Sequence, residues 1–287
     1  MFQIIANQNS GCGAGTKALR GAEEVLRGRG LDFQTAVTEK AGDATRIADR
    51  AVSEGRNQLI CVGGDGTIFE IVNGIAGRFA SLYFVPCGTG NDFVRMLSLP
   101  ADPAKALEAQ LDGRPRRIDV GRVNDRWFMN IAGSGFDVEV LLQAARFKRL
   151  GRGILPYLMG IFSALRRFRP LTVEITLDGR TETRVVTIFS VGNGSYFGGG
   201  MKAVPRARID DGLFDVIIAD GMSRLSILKF LGRFISGRHT ELAAIRECRC
   251  SELTVRCPGM TVELDGELVP MDEAHFRILP GALEIHA

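Results

Sequence analysis

At 287 residues the chain is long enough for two domains, each with a core of its own. A hydrophobic share of 45% and a charged share of 24% exclude a disordered or fibrous chain. The net charge of +3 is too small for a dedicated nucleic-acid binder, and because residues 1–120 balance 14 basic against 14 acidic side chains, the excess lies wholly beyond them, with room for a local basic patch.

The first 120 residues alternate strand and helix patterns. Strands are expected over 2–6, 33–38, 58–61 and 82–85, with helices over 16–29, 43–54 and 68–76. Asp102 and Pro103 supply an N-cap and first-turn residue for a further helix that Gly113 closes. Such alternation implies a parallel sheet wrapped by helices, with ligand loops at the carboxyl ends of the strands. After Asp119 the texture changes. Residues 122–132, 171–177, 184–191, 213–218, 252–255 and 261–264 read as strands, interrupted by two basic, apolar helical segments. Successive strands without regular crossovers imply a β-sandwich-like second domain. The expected division is a nucleotide-binding domain over 1–121 and a β-rich domain over 122–279, with the last strand, within 280–287, returning to the first domain.

The cysteines form no Cys-x-x-Cys pair. Cys61 closes an apolar strand and reads as a reduced core thiol; Cys248, Cys250 and Cys257 match no common zinc spacing. No basic stretch introduces an apolar signal at the start, and the longest uncharged apolar run, 154–165, is too short for a bilayer and contains Pro156. These features read as those of a cytoplasmic protein.

Chemistry concentrates in a few loops. Gly63-Gly64-Asp65-Gly66-Thr67 lies between a strand and a helix, where absent side chains let backbone approach phosphate and helix N–H groups supply positive potential. Pro86-Cys87-Gly88-Thr89-Gly90-Asn91-Asp92-Phe93 follows the next strand, and Leu264-Asp265-Gly266-Glu267 lies far downstream. Asp-Gly is by itself a common hairpin turn. The first loop, Asn7 to Lys17, is glycine-rich, yet Thr16 precedes Lys17, which rules out a Walker motif, and position 16 is not the glycine of a dinucleotide fingerprint.

Taken together these motifs resemble the diacylglycerol/sphingosine kinase superfamily of lipid kinases, over nearly the whole chain. The resemblance implies an ATP- and Mg²⁺-dependent kinase that phosphorylates a primary hydroxyl of a lipid such as diacylglycerol. Asn7, Ser10 and Gly11 match the family's opening loop, with Gln8 where proline is usual. By the same resemblance Thr38, Gly63, Gly64, Gly66, Thr67, Gly88 and Thr89 hold the nucleotide. Asp65 serves the magnesium-bound phosphoryl site, Asp92 joins a carboxylate–water–magnesium network, Asp119 matches another of the family's catalytic carboxylates, and Glu267 is the base that takes the hydroxyl proton. The run Val204 to Asp215 resembles a structural magnesium loop, with Asp211 giving a side-chain oxygen and Arg208 and Leu213 giving carbonyls. The glycine-rich run Gly192 to Met201 is expected to form a lipid-side loop.

Residues 140–173 carry seven basic side chains and no acidic one, interleaved with apolar residues such as Tyr157, Met159 and Phe162. This composition suits reversible, peripheral contact with a membrane surface that presents the lipid substrate. A homodimer is left open. Two rival readings share some of these motifs. An NAD kinase also uses a Gly-Gly-Asp-Gly-Thr loop, but neither the basic-apolar segment nor the terminal Asp-Gly-Glu favours it. A nucleotide- or lipid-binding regulator without catalysis would not need every carboxylate named above.

Overall fold

The computed structural model describes residues 1–147 and 155–286. The basic residues Lys148, Arg149 and Arg152 and the apolar Ile154 lie outside them. In the first domain, β1 (Phe2–Ala6), α1 (Ala14–Gly28), β2 (Phe33–Val37), α2 (Asp43–Ser53), β3 (Gln58–Gly63), α3 (Asp65–Ile75), β4 (Ser81–Pro86) and α4 (Pro103–Asp112) follow one another along the chain. The four strands form a parallel sheet in the order β2-β1-β3-β4. Their side chains alternate between two cores, as the two-residue period of a strand requires. Ile5, Leu59, Cys61, Leu82 and Phe84 face α2 and α3, whereas Ile4, Ile60, Val62, Tyr83 and Val85 face α1 and α4. Asp102 caps α4 by accepting from the N–H groups of Ala104 and Lys105.

The second half comprises β5 (Pro115–Val123), β6 (Arg126–Phe128), β7 (Ile131–Gly135), α5 (Phe136–Phe147), α6 (Leu155–Arg167), β8 (Leu171–Leu177), β9 (Arg180–Gly192), β10 (Tyr196–Phe197) and β11 (Met201–Lys202). It continues with β12 (Phe214–Asp220), α7 (Arg224–Ile235), β13 (Ile245–Cys250), β14 (Glu252–Leu264) and β15 (Glu267–His286). The strands pair antiparallel around a core that includes Phe128, Phe189, Phe214 and Phe276. The helices α5, α6 and α7 bury their inner sides in a separate core with Ile131, Ile188 and Ile217. A helix-flanked parallel sheet thus adjoins a β-sandwich-like domain.

Two strands are common to both halves. β15 leaves the hairpin with β14, runs antiparallel to β5, and ends parallel to β4 with Glu284 opposite Ser81. β5 runs unbroken from Pro115 to Val123, so the change of texture after Asp119 falls inside a strand.

Two strand expectations are corrected. Residues 122–132 do not form one strand: Asn124 takes a φ of +52° and turns the chain into the short hairpin β5–β6 before β7 begins. Residues 252–255 and 261–264, expected as separate strands, are one strand, β14, with a register shift between Arg256 and Met260. A bulge of this kind breaks the alternation of side chains without ending the ladder.

Candidate active site

Three loops at the carboxyl ends of β1, β3 and β4 pack backbone against backbone. In the first, Gly11 has a φ of +59°, and a Cβ there would fall 1.9 Å from the Cys87 carbonyl oxygen of the third. A Cβ on Gly64 would lie 2.8 Å from Cα of Gly88, which joins the second loop to the third. Glycine at these positions is therefore a steric requirement of the site. Asp65 opens α3, so the unfilled N–H groups of that helix's first turn lie within the second loop. Asn91 holds the third loop closed, accepting from the Gly88 N–H at 3.0 Å and donating to the Gly88 carbonyl at 2.9 Å.

Two cavities flank the second loop. A polar one of about 380 Å³ is lined by Asn7, Ser10, Thr38, Gly64, Gly66, Thr67 and, from the second domain, Glu267. An apolar one of about 320 Å³ lies in the interdomain cleft, among Ile68, Phe93, Met129, Ile131, Leu141 and Phe197. Asp65, Thr89, Gly90, Asp92, Asp265 and Gly266 also border the cleft. The hairpin turn between β14 and β15 spans the two: Asp265 and Gly266 face the apolar cleft and Glu267 the polar cavity. Both turn residues have positive φ, +49° for Asp265 and +98° for Gly266, the backbone of a two-residue type I′ turn.

The carboxylates are arranged in two groups. Asp65 and Asp92 converge beside Gly90, whose imagined Cβ would lie 3.0 Å from Asp65 Oδ2 and 3.4 Å from Asp92 Oδ2. Asp65 Oδ1 accepts from the Phe93 N–H at 3.3 Å. Asp92 Oδ2 accepts from the Gly199 N–H at 2.8 Å, while Oδ1 is buried without a hydrogen-bond partner among the described residues and lies 3.7 Å from the Arg95 guanidinium. Burial raises the pKa of Asp92, and the nearby charge of Asp65 adds to the rise.

A second group lies behind the turn. Asp265 accepts from the N–H groups of Met129, Asn130 and Ile131 at 2.6, 2.9 and 3.0 Å. Its carboxyl is enclosed by protein although the residue still borders the cleft, and burial lifts its pKa to about 7 against the opposing effect of those three donors. Glu263 is fully buried and accepts from the Gly266 N–H through Oε1. Burial, with the charges of Asp137 and Asp265, holds the pKa of Glu263 well above the usual carboxylate range. Burial also raises Asp137, on the first turn of α5, to about 6.

Asp265 and Glu263 were not among the residues expected to carry function. The Asp-Gly pair that marks a hairpin hides the fact that this aspartate also clamps the segment 129–131. The alternation of β14 gave no signal for the other: Met260, Val262 and Leu264 face the sandwich core, and Glu263 lies on the opposite face, where the cleft buries it.

Asp119, expected among the catalytic carboxylates, does not join Asp65 and Asp92 beside the glycine loops. It is buried, and its two oxygens accept from the N–H groups of Gly212 and Gly281, at 2.7 and 2.8 Å. It therefore braces the turn beside Asp211 and the entry to the final stretch of β15.

Magnesium suits one of the two expected places. At Asp65 and Asp92, a buried carboxylate oxygen without a hydrogen-bond partner and two converging carboxylates fit a cation that also binds substrate phosphate. Mg²⁺ typically needs only one or two carboxylates there. The loop of Arg208, Asp211 and Leu213 fits less well. Asp211 Oδ1 accepts from the Leu213 N–H at 3.2 Å, and Oδ2 is paired with the Arg249 guanidinium. Arg249 also lies 3.4 Å from Asp215, so a fixed cation already occupies the charge complement of this loop. No step is derived through a metal at that loop.

A glycine loop at the end of a parallel strand, faced across a cleft by a carboxylate from a β-sandwich-like domain, fits a two-domain phosphotransferase. Comparison with known proteins gives the family. Residues 1–123 match the diacylglycerol kinase catalytic domain, and residues 130–287 match the YegS C-terminal NAD kinase beta sandwich-like domain. The chain is 34% identical over 288 residues to a diacylglycerol kinase of Mycobacterium tuberculosis, covering 98% of this chain and 93% of the relative. It is 35% identical over 280 residues to a Pseudomonas aeruginosa protein named "Probable lipid kinase YegS-like", covering 95% and 90%. A crystal structure of a diacylglycerol kinase from Bacillus anthracis superposes with a TM-score of 0.80 at 27% identity, covering 99% of this chain and 96% of the other. The chain belongs to the diacylglycerol kinase family and is a kinase.

Proposed function

We propose that this kinase transfers the γ-phosphoryl group of ATP, with Mg²⁺, to a primary hydroxyl of a membrane lipid such as diacylglycerol. The observation that carries the reading is the placement of the Asp265-Gly266-Glu267 turn across two unlike cavities. One is polar and lined by the glycine loops, as a triphosphate requires; the other is apolar and suits the hydroxyl end of a lipid.

Phosphoryl transfer asks little covalent help from protein, so positioning and charge neutralisation dominate. The N–H groups at the start of α3 and the hydroxyl of Thr67 hold phosphate oxygens on the polar side. Asp65 and Asp92 are the residues that would hold the magnesium ion, which supplies charge neutralisation to the phosphates when bound. Glu267 takes the hydroxyl proton as the lipid oxygen forms its bond to the γ-phosphorus. The bond from that phosphorus to the β–γ bridging oxygen breaks, and ADP leaves. Asp265 fixes the turn that presents Glu267, through its three backbone donors.

Incubation of the full chain with γ-labelled ATP, magnesium and a total lipid extract, followed by chromatography, tests this reading. A labelled lipid monophosphate is the expected product. Label found only in phosphorylated NAD would overturn it in favour of an NAD kinase, and ATP left intact would favour a binding protein without catalysis.

A further inference from the structure

The helices α6 and α7 have apolar side chains on both sides. On the inner side of α7, Ile227, Phe230 and Phe234 are buried with Ala164 and Leu165 of α6 and with Phe136 and Val140 of α5. That core already accounts for the packing of the helix. On the other side Leu225 is 74% exposed and Leu228 48%, and on α6 Phe162 is 69% exposed. Singly exposed apolar residues are common and need no explanation. Here they sit on two helices joined end to end, since the Arg224 guanidinium at the start of α7 donates to the Arg166 carbonyl near the end of α6 at 3.0 Å.

The charged residues on these outer sides are all of one sign. Neither helix contains an aspartate or glutamate. Arg166 follows Phe162 by one helical turn, Lys229 follows Leu225 by one turn, and Arg167 and Arg224 are exposed beside them. The nearby Glu241 is engaged by Arg233 at 3.7 Å and Arg238 at 3.2 Å. A water-facing helix ordinarily mixes signs at i, i+4 spacing. A second copy of this chain, docked symmetrically through the same face, would bring arginine and lysine together without carboxylates to meet them. An anionic bilayer matches both features: leucine and phenylalanine enter the acyl boundary while the long basic side chains reach the headgroups. The surface also lies on the helical layer that reaches the cleft, because α5 packs against α6 and contributes Leu141 to the apolar cavity.

We propose that the outer side of α7, with Phe162 of α6, is the surface on which this kinase docks to anionic lipid bilayers. The proposal rests on the lipid-kinase reading above and extends the membrane contact from α6, within residues 140–173, to α7, well beyond them.

The test is flotation of the full chain with vesicles of phosphatidylcholine containing phosphatidylglycerol. The parent is compared with Leu225→Glu/Leu228→Glu and with the milder Leu225→Ser/Leu228→Ser, each checked by thermal melting. The glutamate pair is expected to lose vesicle binding by about tenfold or more, and the serine pair to a smaller degree. Phosphorylation of a short-chain, water-dispersed diacylglycerol should stay at the parent level in both. Parent-like flotation of the glutamate pair overturns the proposal. So does a parent dimer that the pair dissociates while vesicle binding persists. If the glutamate pair melts below the parent, the serine pair decides by the same criterion. Flotation needs no ATP, so failure of the parent to phosphorylate the short-chain lipid would count against the lipid-kinase reading and leave the docking result standing.

Discussion

Gly199 of the second domain donates its N–H to Asp92 Oδ2 of the first at 2.8 Å, tying the glycine loop between β10 and β11 to the loop that follows β4. The same carboxylate leaves Oδ1 buried and without a hydrogen-bond partner among the described residues. One side chain therefore ties the two domains together, with its second oxygen facing Asp65 on one side and the Arg95 guanidinium, 3.7 Å away, on the other.

Asp92→Asn separates that tie from the proposed binding of magnesium. The amide oxygen can still accept from Gly199, but the charge is gone. The magnesium concentration needed for half-maximal activity should rise roughly 10- to 100-fold, the usual scale for altering the groups around a bound metal. The melting temperature should not fall, because a carboxylate disfavoured by burial has been made neutral. A magnesium titration unchanged from the parent would remove Asp92 from the cation site.

Glu267→Gln keeps the size of the side chain and removes the base. Turnover should drop by roughly 100- to 10,000-fold. ATP affinity should barely change, since the glycine loops and α3 are intact. Turnover within a few-fold of the parent would show that another group takes the proton.

Gly64→Val places a branched side chain where Cα of Gly88 already stands, with even the Cβ at 2.8 Å. The second and third loops must separate, and nucleotide binding should be lost in a calorimetric titration. The buried phenylalanines of the sandwich are remote from this contact, so the second domain should keep its fold. Parent-like nucleotide affinity would place the phosphates elsewhere.

The carboxyls behind the turn give a pH signature. Asp265, raised to about 7, and Asp137, raised to about 6, bind protons more tightly folded than unfolded. Their contribution to stability is complete below the unfolded carboxylate range, near pH 4, and is lost as pH rises through about 6 to 7. The melting temperature should accordingly decline across that window. Glu263→Gln, which mimics the protonated acid and can still accept from the Gly266 N–H, should flatten the decline and leave the protein at least as stable at pH 8. A steeper decline in the variant would show that Glu263 is charged and stabilising in the parent.

The order of elements in the first domain was legible in the sequence, because apolar spacing and glycine stops are local signals. So was the chemistry of the phosphate loop. Glycine and aspartate at a strand–helix junction have a backbone meaning that needs no partner. Glu267, Thr38, Ser10 and Asn7 came from the family resemblance of their motifs, and the fold brings all four to one polar cavity.

Tertiary structure alone decided what each carboxylate faces. Asp65 and Asp92 follow β3 and β4 and meet beside Gly90, while Asp119, inside β5, is consumed by Gly212 and Gly281. Asp211 read as a metal ligand by its motif, and the fold pairs it with Arg249, 38 residues away, which no local signal records. Asp265 read as a turn residue until its three donors from 129–131 came into contact. Local periodicity records the conformation a residue adopts and the side on which it emerges. A carboxylate's role depends on desolvation and on partners brought from distant parts of the chain, and those exist only once the strands have paired.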